Sequence, residues 1–192
     1  MKEEQIKQAY AEAKARYAEF GIDTDKVIET LEKTPISLHC WQADDVVGFE
    51  RGEAASGGIQ STGNYPGRAR NIDELRADIV KVKSLLAGTY RLNLHEIYGE
   101  FNGKIVDRDQ VGVEQFEGWM QWAKENDLKL DFNSTSFSHP KSGNLTLANP
   151  DKEIRDFWIE HTKRCRRIAD AMGKYQNDPC IMNIWIHDGS KD

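Results

Sequence analysis

Apolar residues recur at three- and four-residue spacing in five stretches of this chain, and at alternate positions in four short stretches. The first period belongs to amphipathic helices, the second to half-buried strands. A first helix is predicted over residues 3–20, with Ile6, Tyr10, Ala13, Tyr17 and Phe20 on one face and Gly21 as a left-handed stop. A second runs over 24–33 with Val27, Ile28 and Leu31. Pro35 breaks it and opens a strand at 36–41. Asn71 caps a helix over 72–86, and Glu74 completes a capping box. Its stripe is Ile72, Leu75, Ile79, Val82 and Leu86. A strand over 91–97 follows, then a helix over 113–126 burying Phe116, Trp119, Met120 and Ala123, then a strand over 129–133. The clearest helix spans 150–172, with Asn149 as cap, Pro150 at the first helical position and Asp151 and Glu153 at the positive end of the dipole. Its buried face is Ile154, Phe157, Trp158, His161, Cys165, Ile168, Ala169 and Met172, so His161 and Cys165 read as packing residues. The fourth strand begins at Ile181.

Strands separated by single helices pair in parallel through right-handed crossovers. There is no internal repeat and no low-complexity linker, so residues 1–192 read as one α/β domain, with residues 1–35 as N-terminal helices.

The alternation within the strands is unusual. One face carries Leu38, Leu94, Phe132, Ile184 and Ile186. The other carries Ser37, His39 and Trp41; Asn93 and His95; Asp131 and Asn133; and Asn183, Trp185 and His187. Parallel sheets covered on both sides read apolar on both faces. Here a polar face recurs at matching parity in four strands. A barrel interior that opens into a pocket at the carboxyl ends of its strands accounts for it. Deeper members such as Asn93 and Asp131 also suit a structural, hydrogen-bonded role.

Composition narrows the classes. The chain has 192 residues, 39% hydrophobic and 30% charged, with a net charge of -6. That argues against a nucleic-acid surface, and the basic cluster Lys163, Arg164, Arg166 and Arg167 lies on one helix as a solvated face. No apolar run approaches the roughly 18 residues of a membrane span, and no signal peptide is evident. Cys40, Cys165 and Cys180 show no C-x-x-C spacing, which suits reduced thiols in a cytoplasmic protein.

On the polar face, His39, His95 and His187 are candidate general acids, bases or metal ligands. Trp41 and Trp185 offer flat walls for the C–H faces of a sugar. Asp44, Asp45, Asp131 and Asp188 are candidates to hold a metal or hydroxyl groups. No H-E-x-x-H, G-x-S-x-G or P-loop lysine motif occurs. Residues 42–70 carry seven of the loop-forming Gly and Pro positions, either a surface excursion or a lid over a pocket. Pattern and spacing alone lead to a polyol or sugar pocket in part of a barrel.

The segments HCWQADD at 39–45, GGIQSTGNYPGRARN at 57–71, RLNLHEIY at 91–98, LDFN at 130–133, FSHP at 137–140 and MNIWIHDGSKD at 182–192 together resemble bacterial L-rhamnose isomerases, in order and over essentially the whole chain. One departure is His187, where that family carries proline. The resemblance implies a parallel (β/α)8 TIM barrel, present here as a half barrel of about four strands preceded by two N-terminal helices. It implies interconversion of L-rhamnose and L-rhamnulose, with hydrogen moving between C2 and C1 by hydride shift or through an enediol. It further implies two divalent metals (manganese, zinc or cobalt) and a cytoplasmic homotetramer. By position, Trp41, His95 and Trp185 would bind substrate, and the loop containing Gly57, Gly58 and Gly63 would close over it. The family's metal ligands come from later strands, so neither metal ligands nor a catalytic residue is expected in this chain. The chain is expected to be the N-terminal half of an enzyme about twice as long. Alone it is expected to be inactive, to expose its polar inner face and to leave two sheet edges unpaired. The alternatives are an isomerase or epimerase of another sugar on a related barrel, and a non-catalytic α/β sugar-binding module.

Overall fold

The computed structural model describes residues 2–39, 48–49, 69–137 and 139–189. In chain order the elements are α1 (Glu3–Glu19), α2 (Thr24–Glu32), β1 (Ile36–His39), α3 (Ile72–Leu85), β2 (Tyr90–His95), α4 (Glu117–Glu125), β3 (Lys129–Thr135), α5 (Lys152–Gln176) and β4 (Met182–Trp185). Short 3-10 turns at Glu96–Tyr98 and Val113–Gln115 follow β2 and precede α4. The chain forms two compact units, Met1–Ile36 with Leu86–Thr89, and Ser37–Leu85 with Tyr90–Asp192.

The smaller unit is a helical hairpin. Gly21 turns the chain at φ +75, as its lack of a side chain permits. Asp23 caps α2 by accepting from Lys26 N. Tyr10 on α1 donates to Asp25 and lies 3.1 Å from the Thr24 hydroxyl, and Lys14 also pairs with Asp25. The apolar stripe expected on α1 is present but open: α1 has no buried residue, and Ile6, Tyr17 and Phe20 are exposed.

The larger unit contains a four-stranded sheet in the order β1-β2-β3-β4. β2 pairs with β3 and β3 with β4, both in parallel. With its helices it is an α/β half barrel. β1 and β4 are the outer strands, as the strand order implies. The core lies between sheet and helices, where Leu92, Leu94, Leu130 and Phe132 meet Phe116, Trp119, Ala123, Cys165, Ile168 and Met172. Phe116 and Phe132 meet edge to face at 5.1 Å. The outward side of β4 differs, because Ile184 and Ile186 are about half exposed.

Local chemistry moved several boundaries. Asn71 does cap α3, accepting from Glu74 N, but the Glu74 carboxylate reaches back to Arg70 N instead of the cap residue itself. The Arg70 side chain grips the same carboxylate and draws it there. α5 starts two residues later than expected. Asp151 is the cap and accepts from Glu153 N, while Asn149 accepts from Asp151 N in a turn before the helix. It also continues past Met172 to Gln176, where Asn177 ends it in the left-handed conformation at φ 49. β2 stops at His95, where the chain turns into a 3-10 helix.

Candidate functional site

Strand register sets the site. His95 is the partner of Asn133 across β2 and β3, Asn133 the partner of Asn183 across β3 and β4, and Thr135 the partner of Trp185. Side chains at matched positions of parallel strands share a face. His95, Asn133 and Asn183 thus form one layer at the carboxyl ends of the strands, with Asn93 and Asp131 one layer below.

Trp185 is the centre of the upper layer. The His39 ring stacks on it at 5.9 Å with planes 15° apart, and the His95 ring meets it edge-on at 5.4 Å. Tyr98 lies 5.4 Å beyond His95, and Phe49 lies 5.9 Å beyond Tyr98. Asn133 Nδ2 is 3.3 Å from His95 Nε2, and Asn183 Nδ2 is 3.5 Å from His39 Nε2. One feature differs from expectation. The inner face of β2 and β3 is not exposed: Asn93, His95, Asp131 and Asn133 are all buried.

Burial, reinforced by the neighbouring His39 and Arg108, pushes the His95 imidazole down to about 4. His95 is therefore neutral at neutral pH, a group that can offer hydrogen bonds but not charge. Two amide oxygens on this face, Asn93 Oδ1 and Asn133 Oδ1, are buried without a hydrogen-bond partner among the described residues. Acceptors of this kind suit hydroxyl groups.

The other sequence candidates separate. Asp131 is structural. Its Oδ1 accepts from Arg91 Nη2 at 3.0 Å and Ile181 N at 2.8 Å, and its Oδ2 accepts from Arg91 Nε at 3.0 Å. Arg91 also bonds Asp178, whose carboxyl Lys129 and Arg91 hold below the usual range. Asp188 ties the chain after β4 to residues 146–148, accepting from Thr146 N, Thr146 Oγ1 and Ala148 N. Burial acts to raise its carboxyl, and those hydrogen bonds outweigh it and hold it low. His187 lies against Phe137 at 4.8 Å, with Nε2 3.2 Å from the Gly143 carbonyl. His161 and Cys165 pack in the core as expected, and burial pushes the Cys165 thiol well up. Trp41, Asp44, Asp45, Gly57, Gly58 and Gly63 lie outside the described residues.

A second polar cluster escaped sequence reasoning. Glu96 opens the 3-10 turn after β2 and is fully buried beside Arg108, with Nε to Oε2 at 3.7 Å. Arg108 also donates to the Thr135 and Phe137 carbonyls at the end of β3. His139 Nε2 lies 2.9 Å from Asp107 Oδ1, and His161 Nδ1 donates to the Arg108 carbonyl. This cluster ties the carboxyl ends of β2 and β3 together from behind. Its signal in the sequence was Glu96, a charge at a strand end that demands a partner.

Among the described residues no group of three His, Cys, Asp or Glu side chains could hold a metal ion. Nor is any described helix long and apolar enough to cross a membrane.

The family model for L-rhamnose isomerase matches residues 4–192. The chain belongs to the L-rhamnose isomerase family. It is 68% identical to an L-rhamnose isomerase of Bacteroides thetaiotaomicron over 192 residues, all of this chain and 46% of that protein. It is 55% identical to one from Mannheimia succiniciproducens, over 97% of this chain and 45% of the relative. It is 50% identical to one from Rhodopirellula baltica, over 97% and 44%. The chain therefore spans less than half the length of the curated relatives it matches.

Proposed function

We propose that this chain supplies the substrate-binding wall of an L-rhamnose isomerase, which interconverts L-rhamnose and L-rhamnulose. The observation that carries the reading is the contact of His95 with Trp185 at the carboxyl ends of β2 and β4, in a chain of this family. Trp185, with Trp41, lies against the C–H face of the sugar. His95, neutral and buried, hydrogen-bonds a hydroxyl or ring oxygen. The segment with Gly57, Gly58 and Gly63 closes over the bound sugar.

The family resemblance implies two divalent ions, with manganese the first candidate and zinc or cobalt the others. No three candidate ligands come together among the described residues, so the part argued for this chain is binding and orientation. The ligands belong to the remaining half of a protein of the relatives' length, and residues 1–192 form one domain with that half. The assembly is a cytoplasmic homotetramer, acting on a free sugar and on neither nucleic acid nor membrane. Residues 1–192 alone have no isomerase activity.

The test uses the full-length gene product. His95→Ala is expected to lower kcat/KM on L-rhamnose about 100-fold, the lower range for a positioned polar group in a site. Unchanged turnover removes His95 from the site. Comparing L-rhamnose with D-allose and L-lyxose separates this reading from an isomerase of another sugar. Chelation followed by return of manganese, zinc or cobalt one at a time ranks the metals. Sugar binding with no ketose formed under any metal would favour the non-catalytic module.

A further inference from the structure

A short 3-10 turn leaves its last carbonyls without partners inside the turn. After β2 that turn is Glu96–Tyr98, and its last two carbonyls are met from elsewhere in the chain. The Tyr98 carbonyl accepts from Trp119 Nε1 on α4 at 2.7 Å. The Ile97 carbonyl accepts from the backbone N–H of Phe49 at 2.7 Å. Gly48 makes the second bond possible. Its φ is +62, and a Cβ there would lie 2.8 Å from Ile97 Cβ and 3.0 Å from the Ile97 carbonyl oxygen. No side chain fits that gap, so only glycine lets the chain come this close. The contact seats Phe49 on the core, with its ring 5.9 Å from that of the fully buried Tyr98. Tyr98 lies 5.4 Å from His95, and His95 lies 5.4 Å from Trp185. The rings thus run in series from Phe49 to Trp185, each pair within the range of aromatic contact.

We propose that Phe49 is a positioning residue for the sugar wall: clipped to Ile97 through Gly48, it holds the Tyr98 ring against His95 and so sets the pose of the His95–Trp185 pair. Its part in sugar binding rests on the isomerase reading above; the clip itself does not. The role does not require Phe49 to touch the sugar. It does require a ring, because edge and face contacts have directions that an aliphatic side chain lacks.

The experiment uses the full-length gene product. Phe49→Leu keeps apolar volume and removes the ring. It is expected to raise KM for L-rhamnose about tenfold and to change kcat by less than about twofold, the signature of binding lost equally from ground and transition states. Phe49→Tyr restores a ring and recovers most of the loss. A matched pair of glycine variants tests the clip. Gly48→Ala and Gly103→Ala both place a Cβ on left-handed backbone, at φ +62 and +74, but a Cβ at Gly103 would meet nothing within 4 Å. Gly48→Ala therefore raises KM as Phe49→Leu does, and Gly103→Ala leaves it alone. A Phe49→Leu enzyme with a lower unfolding midpoint but an unchanged KM overturns the proposal, since the ring is then core packing only. So does a Gly48→Ala enzyme no worse than Gly103→Ala, and that comparison decides by itself if Phe49→Leu does not fold. A crystal structure of Phe49→Leu keeps the two readings apart. A Tyr98 ring displaced from His95, in a protein whose wild type does not isomerise L-rhamnose, would sink the isomerase reading and leave the positioning role standing. Wild-type turnover of L-rhamnose, with KM and the Tyr98–His95 contact unmoved in Phe49→Leu, would do the reverse.

Discussion

Asp131 and Asn133 stand two positions apart on β3, on the same face of the sheet, and their hydrogen bonding is opposite in kind. Both oxygens of Asp131 are taken, by Arg91 twice and by Ile181 N. Asn133 spends its amide nitrogen on His95, and its oxygen is buried without a partner among the described residues. A buried acceptor left unmatched costs roughly 1–3 kcal/mol, so a fold retains one where a ligand will meet it or where repair is impossible. The difference follows the axis of the strands. In barrels of this kind the amino end serves stability and the carboxyl end serves chemistry. In this chain that division is already visible within one strand: Arg91, Asp131 and Asp178 close the lower layer, and the Asn133 oxygen above it is unmatched among the described residues.

The sharpest way to break the comparison is to remove the partner of Asp131. Arg91→Ala leaves a fully buried carboxylate without its cation, and the expected loss of stability is about 3–5 kcal/mol. Arg91→Lys keeps the charge but not the two-pronged grip, and should fall between. Denaturant unfolding measures both. A loss under 1 kcal/mol would mean that the lower layer is no more structural than the upper one.

A pH titration of stability asks the same question of the upper layer. Burial sets His95 at about 4 in the fold, against an ordinary 6.5. Between those values the unfolded chain takes up a proton that the native chain refuses. The contribution of a neutral His95 is thus fully present above pH 6.5 and lost as the pH falls toward 4. Its size is on the order of 3 kcal/mol. Subtracting the His95→Gln profile isolates it from other titrating groups. Parallel profiles for the two proteins would show that His95 is not desolvated by its aromatic neighbours.

Much of this was legible beforehand, for physical reasons that differ by element. The buried side of α5 could be read almost residue by residue, because Phe157, Trp158, His161, Cys165, Ile168, Ala169 and Met172 follow an uninterrupted helical period. Strand parity identified the shared face of His39, His95, Asn133 and Trp185, because a period of two survives whatever the tertiary context. The end of α5 was harder to see. The helix was expected to end at Met172, yet it runs on to Gln176, and a Cβ at Gly173 would lie 3.3 Å from the Cys180 backbone nitrogen. That glycine serves a close chain approach. Pairings across long separations were not legible either. Arg91 with Asp178 and Glu96 with Arg108 depend on where loops bring charges, which no local period encodes. Asp131 and Asp188 looked like ligand candidates for the same reason, since their partners lie far away in sequence.

The mildest test falls on Trp185. Its ring is half-buried, stacked on His39 and edge-on to His95. Trp185→Leu keeps apolar volume and removes the flat wall, so the expected stability loss is about 1 kcal/mol, the scale of one aromatic pair. If the ring also faces the sugar, kcat/KM on L-rhamnose should fall about tenfold, or about 1.4 kcal/mol at the transition state. Trp185→Phe restores a ring and should recover part of the activity. The two measurements together discriminate. Activity that falls while the folded population stays near complete places Trp185 among the groups that the fold holds for a ligand. Activity that falls only in proportion to unfolded protein makes the upper layer a core like any other, and the contrast between Asn133 and Asp131 would then be one of packing alone.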